Sequence, residues 1–410
     1  RHVVEFMVEL FEVPDPGEAR GSAVTAREIL AAGAGRIREE LADEPEVQAR
    51  LMATIGRVYG NLGLYASAES LLTHALSTRK ATFGETSAEV AETANHLAQV
   101  LESRGEYDRA EEHFRRSLAI REALRGRRSE DVATVLNNLA ALQRTRGKLD
   151  DAEALYREAL DIDRALGNDN AAGTAGTLSN LALLMQDKGD LEQAELLQRE
   201  ALALQRASLG TDHPNLAVSL NNLGMLLYTR QDLDEAVAHF AEALDLNRRV
   251  LGDRHAETAN VMGNLATAYK ARGDLADAET LMREALQIRL DALGPEHAQV
   301  GLAMAQLAGI LVARERHREA AAGYRRAIAV LAAALGDEHW LTAQPRCLHG
   351  ACLTALGAYR EAETELLAGF AALESALGSE HVRAREAANR INELYAAWGR
   401  PAPGAPGSAR

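Results

Sequence analysis

The stretch that decides the fold is residues 137–160, which read NNLAALQRTRGKLDDAEALYREAL. Within it, Gly147 is followed five residues later by Ala152, and this pattern recurs along the whole chain. The turn positions are Gly63, Gly105, Gly147, Gly189, Gln231, Gly273, Glu315 and Gly357. Each lies 42 residues after the one before, as from Gly63 to Gly105, and each has an alanine five residues later. A fixed period of this kind predicts stacked structural repeats.

Each repeat is predicted to consist of two antiparallel helices. Leu220, Leu223 and Leu227 recur with the spacing of one face of an amphipathic helix. The glycine at the turn position ends this first helix, because a left-handed residue is needed there. The alanine lets the second helix approach the first, because a larger side chain would hold the axes apart. The sequence therefore predicts an all-α solenoid.

The repeats resemble tetratricopeptide repeats of the long, 42-residue kinesin-light-chain type. The resemblance rests on Asn137-Asn138-Leu139-Ala140, Gly147, Ala152-Glu153, Tyr156 and Ala159-Leu160, and it covers about residues 49–398. It implies a right-handed superhelical solenoid of helix-turn-helix repeats that binds proteins or peptides. The resemblance fades in the last two repeats, where Glu315, His317 and the segment Cys347-Leu348-His349 replace consensus residues. Because terminal repeats cap a stack, this fading argues against a binding groove there.

The period divides the chain into four segments. Eight repeats are predicted over 49–384, and a helix at 385–398 is expected to cover the last of them. Residues 399–410 are rich in Gly, Pro and Ala and are expected to form a disordered tail. Residues 1–48 do not carry the repeat, and their two helical stripes predict an N-terminal helical capping segment.

The N-terminal segment has a resemblance of its own. Residues 11–21, FEVPDPGEARG, and 25–30, TAREIL, are similar to the stretch that leads into the repeats of bacterial serine/threonine protein kinases with C-terminal tetratricopeptide arrays. The chain begins with Arg1 and not with Met, which fits an excerpt of a longer protein. This resemblance implies an upstream kinase domain, to which the present chain would be the non-catalytic, regulatory part.

Composition excludes several classes of function. The 410 residues carry a formal net charge of −15, which argues against binding to nucleic acid or to an anionic membrane surface. No apolar run approaches the roughly 18 residues of a membrane-spanning helix. Cys347 and Cys352 fit neither a disulfide framework nor a zinc-site spacing, so we expect free thiols in a reducing, cytoplasmic compartment.

No catalytic motif is found. Phosphate-binding loops, kinase signatures, nucleophile elbows and zinc-protease motifs do not occur in the sequence, so we predict no catalytic residue, no cofactor, no metal and no enzyme activity. Five histidines share one repeat position: His213, His255, His297, His339 and His381. Like positions in packed helical repeats lie about 8–10 Å or more apart, too far for one metal ion. We expect each histidine to fix the turn between repeats.

The candidate binding residues form what we call the amide ladder. It consists of His96, Asn137, Asn138, Asn180, Asn221, Asn222 and Asn264, with Asn95 one position before His96. Asparagine is a poor residue inside a helix because its side chain competes for backbone hydrogen bonds. A carboxamide both donates and accepts, which suits the backbone of an extended peptide. The resemblance places these positions on the concave groove, whereas the alternative is that the amides bridge adjacent helices within the stack.

These features predict a protein–protein interaction module that binds a protein or extended peptide in its concave groove, as a scaffolding or regulatory region of a larger signalling protein. Two alternatives stay open. One is the non-catalytic C-terminal half of a bacterial serine/threonine kinase, and the other is a purely structural, self-associating array.

Overall fold

The computed structural model describes residues 35–37 and 39–401, apart from the side chains of residues 168 and 169. The predicted N-terminal capping segment therefore lies mostly outside the described residues, as do its kinase-like stretches and the tail after Pro401. All regular secondary structure in the described part of the chain is helical. The prediction of an all-α repeat solenoid is confirmed.

The chain divides into two compact units, Arg1–Leu204 and Gln205–Arg410, which we call unit 1 and unit 2. The helices of unit 1 are α1 (Pro45–Asn61), α2 (Tyr65–Phe83), α3 (Ala88–Ser103), α4 (Tyr107–Arg125), α5 (Glu130–Thr145), α6 (Leu149–Leu166) and α7 (Ala171–Asp187). A short 3-10 helix, Gly167–Asn170, precedes α7, and α8 (Leu191–Leu209) runs from unit 1 into unit 2. The helices of unit 2 are α9 (Pro214–Thr229), α10 (Leu233–Val250), α11 (Ala256–Arg272), α12 (Leu275–Leu293), α13 (Ala298–Ala313), α14 (His317–Leu335), α15 (Trp340–Ala355), α16 (Tyr359–Leu377) and α17 (Val382–Trp398).

The odd-numbered helices through α15 are the first helices of their repeats, and the even-numbered ones are the second helices. The second helices begin at residues 65, 107, 149, 191, 233, 275, 317 and 359, which reproduces the step of 42 residues. Within each unit, a first helix packs against the second helix of its own repeat and against that of the preceding repeat. Consecutive first helices within a unit also contact each other. Their side chains are therefore brought together at a fixed register.

The repeated alanine has the packing role that its position predicts. All eight copies are fully buried: Ala68, Ala110, Ala152, Ala194, Ala236, Ala278, Ala320 and Ala362. Four residues later in the second helix stands a larger core residue, Phe114, Tyr156, Phe240 or Tyr324 in four of the repeats. The close approach is visible at Gly224, where an added Cβ would lie 2.8 Å from the ring of Phe240. The helix pairs are therefore set by small residues on one side and aromatic rings on the other.

The turn after the first helix has a positive φ in every repeat, whether or not it holds glycine. Gln231 has a φ of 68° and Glu315 a φ of 60°, within the left-handed region that glycine occupies at the other turns. An L-residue with a side chain is strained in this region. The repeat frame therefore fixes the turn conformation even where the local residue opposes it.

The first helix of the described array, α1, begins at Pro45, ahead of the repeat frame drawn from residue 49, and proline suits the first turn of a helix. Helix α17 begins at Val382 and not at 385, because His381 caps it. Trp398 near the end of α17 stacks on Tyr359, with ring centroids 5.8 Å apart, so α17 does pack on the last repeat. None of the helices in the described part of the chain has the length and apolar character needed to cross a membrane.

Candidate functional site

In unit 1 the amide ladder joins consecutive first helices. Asn138 of α5 donates from Nδ2 to Oδ1 of Asn95 in α3, at 3.1 Å. Asn180 of α7 donates in the same way to Asn137 of α5, also at 3.1 Å. In both pairs the donor lies 43 residues after the acceptor, one position further along the repeat. The two ladder positions therefore have different roles, with the first accepting from the next repeat and the second donating to the previous one.

Unit 2 contains the same pairing. Asn264 of α11 donates from Nδ2 to Oδ1 of Asn221 in α9, at 2.8 Å. Asn222 is half-buried beside Asn221 on the same helix. The sequence left open the alternative that the amides bridge adjacent helices. Three pairs of amides form such bridges.

The bridges do not use the full hydrogen-bonding capacity of the donor amides. A carboxamide has two N–H donors and an oxygen with two lone pairs, and each bridge takes one N–H from the donor. Asn138, Asn180 and Asn264 are only half-buried, whereas the acceptor Asn95 is 5% exposed. The second N–H and the carbonyl oxygen of each donor amide therefore stay available for a ligand.

His96 lies in a small cavity of about 260 Å³ in unit 1, on the face formed by the first helices of the repeats. The cavity lies between α1 and α3, and Arg57, Gln99 and Glu102 also line it. Burial lowers the pKa of His96, and nearby arginines including Arg57 lower it further, against the opposing effect of Glu92. A neutral imidazole is therefore favoured, and it can both donate and accept.

Glu102 is the unusual carboxylate of this cavity. Its side chain is half-buried, and among the described residues it has neither a hydrogen-bond partner nor an ion-pair partner. Burial raises the pKa of Glu102 to about 6. The sequence does not mark Glu102 as a site residue, because a lone glutamate near the end of a helix belongs to no motif.

A larger cavity, of about 420 Å³, lies on the first-helix face of unit 2. Its apolar wall is formed by Leu302, Ala305, Val312, Leu341, Pro345 and Leu348. Its polar lining is formed by Lys270, Gln306, Tyr324 and Gln344. The prediction from the fading consensus, that these last repeats carry no binding groove for a partner, stays a prediction, although a cavity lies among them. The cavity opens because small residues, Ala305 and Gly309, stand on the face of α13.

The five repeated histidines are helix caps. Each is the N-cap of a first helix or of α17, and Nδ1 of its ring accepts a hydrogen bond from the backbone N–H two residues later. The five N···N distances lie between 3.1 and 3.2 Å. The prediction that they fix the turn between repeats is confirmed. Among the described residues, no group of three or more His, Cys, Asp or Glu side chains is arranged to hold a metal ion.

A ladder of ion pairs was not foreseen from the sequence. Arg146, which caps α5, pairs with Glu111 at 2.7 Å, and Lys188, which caps α7, pairs with Glu153 at 2.6 Å. Arg104 pairs with Glu69 and Arg314 with Glu279 in the same way. In each pair the cation lies 35 residues after the carboxylate. The signal that could have revealed them is this constant spacing, since the carboxylates alone resemble an ordinary solvated helix face.

Both cysteines are buried. Burial raises the pKa of the Cys347 thiol to about 11 and also raises that of Cys352. Cys352 donates from Sγ to the backbone oxygen of His317, at 3.0 Å. A protonated, enclosed thiol is a poor nucleophile, so these residues act as core side chains.

This geometry defines a class of protein: stacked helix pairs whose first helices present amides and cavities on one face. The chain belongs to the tetratricopeptide repeat family, which matches residues 47–123, 89–165, 173–248, 221–291 and 257–333. The prediction of tetratricopeptide repeats is confirmed, with the 42-residue step of the kinesin-light-chain type. Proteins of this family bind protein or peptide partners, and the repeat fold is typically non-catalytic. Protein–protein interaction is therefore the function that the family supports.

Several solved structures are similar to the chain. BtubC (BKLC) from P. vanneervenii is 26% identical, with a TM-score of 0.49, over 56% of this chain and 89% of that one. The apo form of RapI is 13% identical, with a TM-score of 0.53, over 74% of this chain and 99% of that one. Aspartyl phosphate phosphatase F from Bacillus subtilis is 15% identical, with a TM-score of 0.52, over 80% and 82% of the two chains. The last two likenesses concern the fold alone. No match was found among curated proteins.

Proposed function

We propose that the chain binds an extended segment of a partner protein along its first helices, and that the amide ladder contacts the backbone of that segment. The observation that carries the proposal is the incomplete use of the donor amides. Asn138, Asn180 and Asn264 each bridge to the preceding repeat, and among the described residues one N–H and the carbonyl oxygen of each have no other partner. An extended peptide offers an N–H and a C=O at every residue, which is the complement of a carboxamide.

The bridges support this proposal because they hold the amides in place. A free asparagine side chain loses rotamer freedom when it binds, and that loss weakens the complex. A bridged amide is ordered before the peptide arrives, so less entropy is lost at the moment of binding. The bridging role and the binding role are therefore compatible, and the first prepares the second.

The bridges also determine how the proposal is tested. Changing Asn138 alone to Ala leaves the buried oxygen of Asn95 without its partner, which costs about 1–3 kcal/mol of stability whether or not a peptide binds. Removing both partners of a bridge avoids that penalty. The informative variants are therefore the pairs Asn137→Ala with Asn180→Ala and Asn221→Ala with Asn264→Ala.

The experiment has two steps. First, proteins captured by the purified chain from a lysate of the source organism are identified, and their binding segment is synthesised as a peptide. Second, the affinity of that peptide is measured by calorimetry for the parent chain and for the paired variants. Each pair is expected to weaken binding about five- to a hundredfold, since it removes two hydrogen bonds of about 0.5–1.5 kcal/mol each.

Asn389→Ala is the matched control, because Asn389 is exposed on α17 and outside the ladder. It is expected to leave the affinity unchanged. Paired variants that fold and bind with full affinity would show that the amides only hold the stack together.

We also infer a cytoplasmic location and a larger signalling parent. The free, buried cysteines support the first inference, because reduced thiols are usual in that compartment. The second rests on the kinase-like stretches at residues 11–30, which lie outside the described residues. The coding sequence upstream of Arg1 tests it directly, and sedimentation of the purified chain tests the alternative of a self-associating array.

A further inference from the structure

The cavity of unit 2 has polar atoms that converge on one point. A Cβ added at Gly309 would lie 3.3 Å from Nζ of Lys270 and 3.4 Å from Oη of Tyr324. The lysine comes from α11, the glycine from α13 and the tyrosine from α14. Three separate helices therefore place an ammonium group and a phenol hydroxyl around one small space that only a glycine leaves open.

The ammonium group has no counter-charge. Lys270 is the only charged residue that lines the cavity, and among the described residues its side chain has no hydrogen-bond or ion-pair partner. The side chain is exposed at the open side of the cavity, yet the surrounding protein atoms lower the pKa of Lys270 by desolvation. An anionic ligand would supply a counter-charge for this ammonium group.

The tyrosine hydroxyl is also without a partner. Tyr324 is 2% exposed, and burial raises its pKa. A buried tyrosine hydroxyl usually finds a hydrogen-bond partner, but among the described residues Tyr324 has none. A ligand oxygen at the convergence point would accept from the hydroxyl and from the ammonium group together.

The rest of the cavity is mostly apolar. Ala305 stands at the position of Asn221, 84 residues earlier, and Leu348 at that of Asn264, also 84 residues earlier. Two of the positions that would continue the ladder are thus aliphatic, while Gln306, 42 residues after Asn264, keeps an amide in the lining. A volume of about 420 Å³ falls within the range of small-molecule sites, which are mostly apolar with a few convergent polar groups.

We infer that this cavity binds a small carboxylic acid with a bulky apolar body. The carboxylate accepts from Lys270 and Tyr324 above Gly309, and the apolar body packs against Leu302, Leu341 and Leu348. The site is separate from the amide ladder and does not rest on the proposed peptide function.

The first test uses three probes that differ only in the polar group: phenylpropionate, its neutral amide and the matching amine. Their binding to the full chain is measured by calorimetry or by ligand-observed NMR. An acid of this size is expected to bind with a dissociation constant on the order of 1 mM, the affinity of a small unoptimised ligand. The acid is expected to bind about tenfold or more tightly than the amide, and the amine not at all.

The second test uses two variants that act in different ways. Lys270→Met removes the charge and keeps an unbranched side chain. The affinity of this variant for the acid should therefore fall to its affinity for the amide. Gly309→Ala keeps the charge but fills the convergence point, so binding should weaken while the melting temperature stays equal or rises. The matched controls are Lys148→Met and Gly176→Ala, which lie at exposed positions of unit 1 and should leave the binding of the acid unchanged.

Several results would overturn the inference. These are equal affinity for the acid and the amide, full affinity for the acid in folded Lys270→Met, and no binding of the acid at about 10 mM. If Lys270→Met does not fold, Gly309→Ala decides alone, because retained affinity in that variant would place the ligand elsewhere.

Discussion

Unit 1 and unit 2 each hold an unpaired ionisable residue at the same place in the repeat, and the two residues carry opposite charges. Glu102 and Lys270 are 168 residues apart, which is four repeats of 42 residues. Each lies 54 residues before a buried tyrosine, Tyr156 in unit 1 and Tyr324 in unit 2. The helical frame is thus the same at both places, while the sign of the charge is not.

The difference shows which property belongs to the fold and which to the individual residue. Burial raises the pKa of Glu102 and lowers that of Lys270, so both are shifted toward the neutral form. The packing of the helices removes water from both side chains and so causes both shifts. The residue at this position decides whether the repeat presents a carboxylate or an ammonium group, so repeats of one backbone can present different chemistry.

Exchanging the charge in unit 2 should have the largest effect. In Lys270→Glu, the affinity for phenylpropionate is expected to fall more than about a hundredfold, because attraction is replaced by repulsion. The matching amine should now bind, since a carboxylate would stand in the place of the ammonium group. Calorimetry with both probes checks this result. If Lys270→Glu kept its preference for the acid, the charge at this position would not control selectivity.

The carboxyl group of Glu102 should make the stability of the chain depend on pH. Because its pKa rises from 4.5 to about 6 on folding, the folded state holds more protons between these values, and stability falls as the pH rises through this window. Glu102→Gln should remove that dependence and gain about 1–2 kcal/mol near pH 7. Thermal melting at about pH 4 and pH 7 measures the change. The exposed Glu296→Gln serves as control, and an unchanged slope in Glu102→Gln would contradict the prediction.

Substitutions in the turns should reveal a smaller difference between the two units, in the free energy of unfolding. All four turn residues of unit 1 are glycines with positive φ, whereas Gln231 and Glu315 hold that conformation in unit 2. Gln231→Gly and Glu315→Gly should each stabilise the chain by about 1 kcal/mol, because the steric strain of a left-handed residue is relieved. Gly147→Ala in unit 1 should destabilise it by a similar amount. Denaturant unfolding measures both, and loss of stability in the glycine variants would mean that the side chains make compensating contacts.

The helix caps give the smallest expected difference. His255 accepts from the backbone N–H of Glu257, while Ser129 at the equivalent position of unit 1 makes no side-chain cap bond. His255→Ala should therefore lower stability by about 0.5–1 kcal/mol and Ser129→Ala by clearly less. Melting temperatures of the two variants test this, and equal losses would show that the ring of His255 acts through packing instead.

The fold was predictable because one short pattern recurs without insertion or deletion. Gly147 and Ala152 with their equivalents define the turn and the close helix contact, and both follow from side-chain size and backbone conformation. The C-terminal helix was predicted from about residue 385, and it begins at Val382 because capping by His381 adds residues ahead of the apolar stripe. The left-handed Gln231 could not be anticipated locally, because the neighbouring helices impose its conformation.

The candidate sites were less predictable. The amide ladder was visible in the sequence, but its pairing was not, because the partners lie 43 residues apart and 43 is not the repeat length. The cavity of unit 2 carried no signal. It depends on what Ala305 and Gly309 lack, and a missing side chain leaves no motif to read.

The bridges between repeats have a consequence for how such a chain changes length over evolution. Where a repeat carries the acceptor amide, its donor stands one repeat later in three cases, and in four cases a carboxylate meets a cation 35 residues later. If a coding segment for one repeat were duplicated or lost in frame, the new neighbours would present the same acceptor, donor, carboxylate and cation. The array is therefore adjustable one repeat at a time wherever neighbouring repeats carry these residues, and a junction created between such repeats arrives with its polar partners already matched.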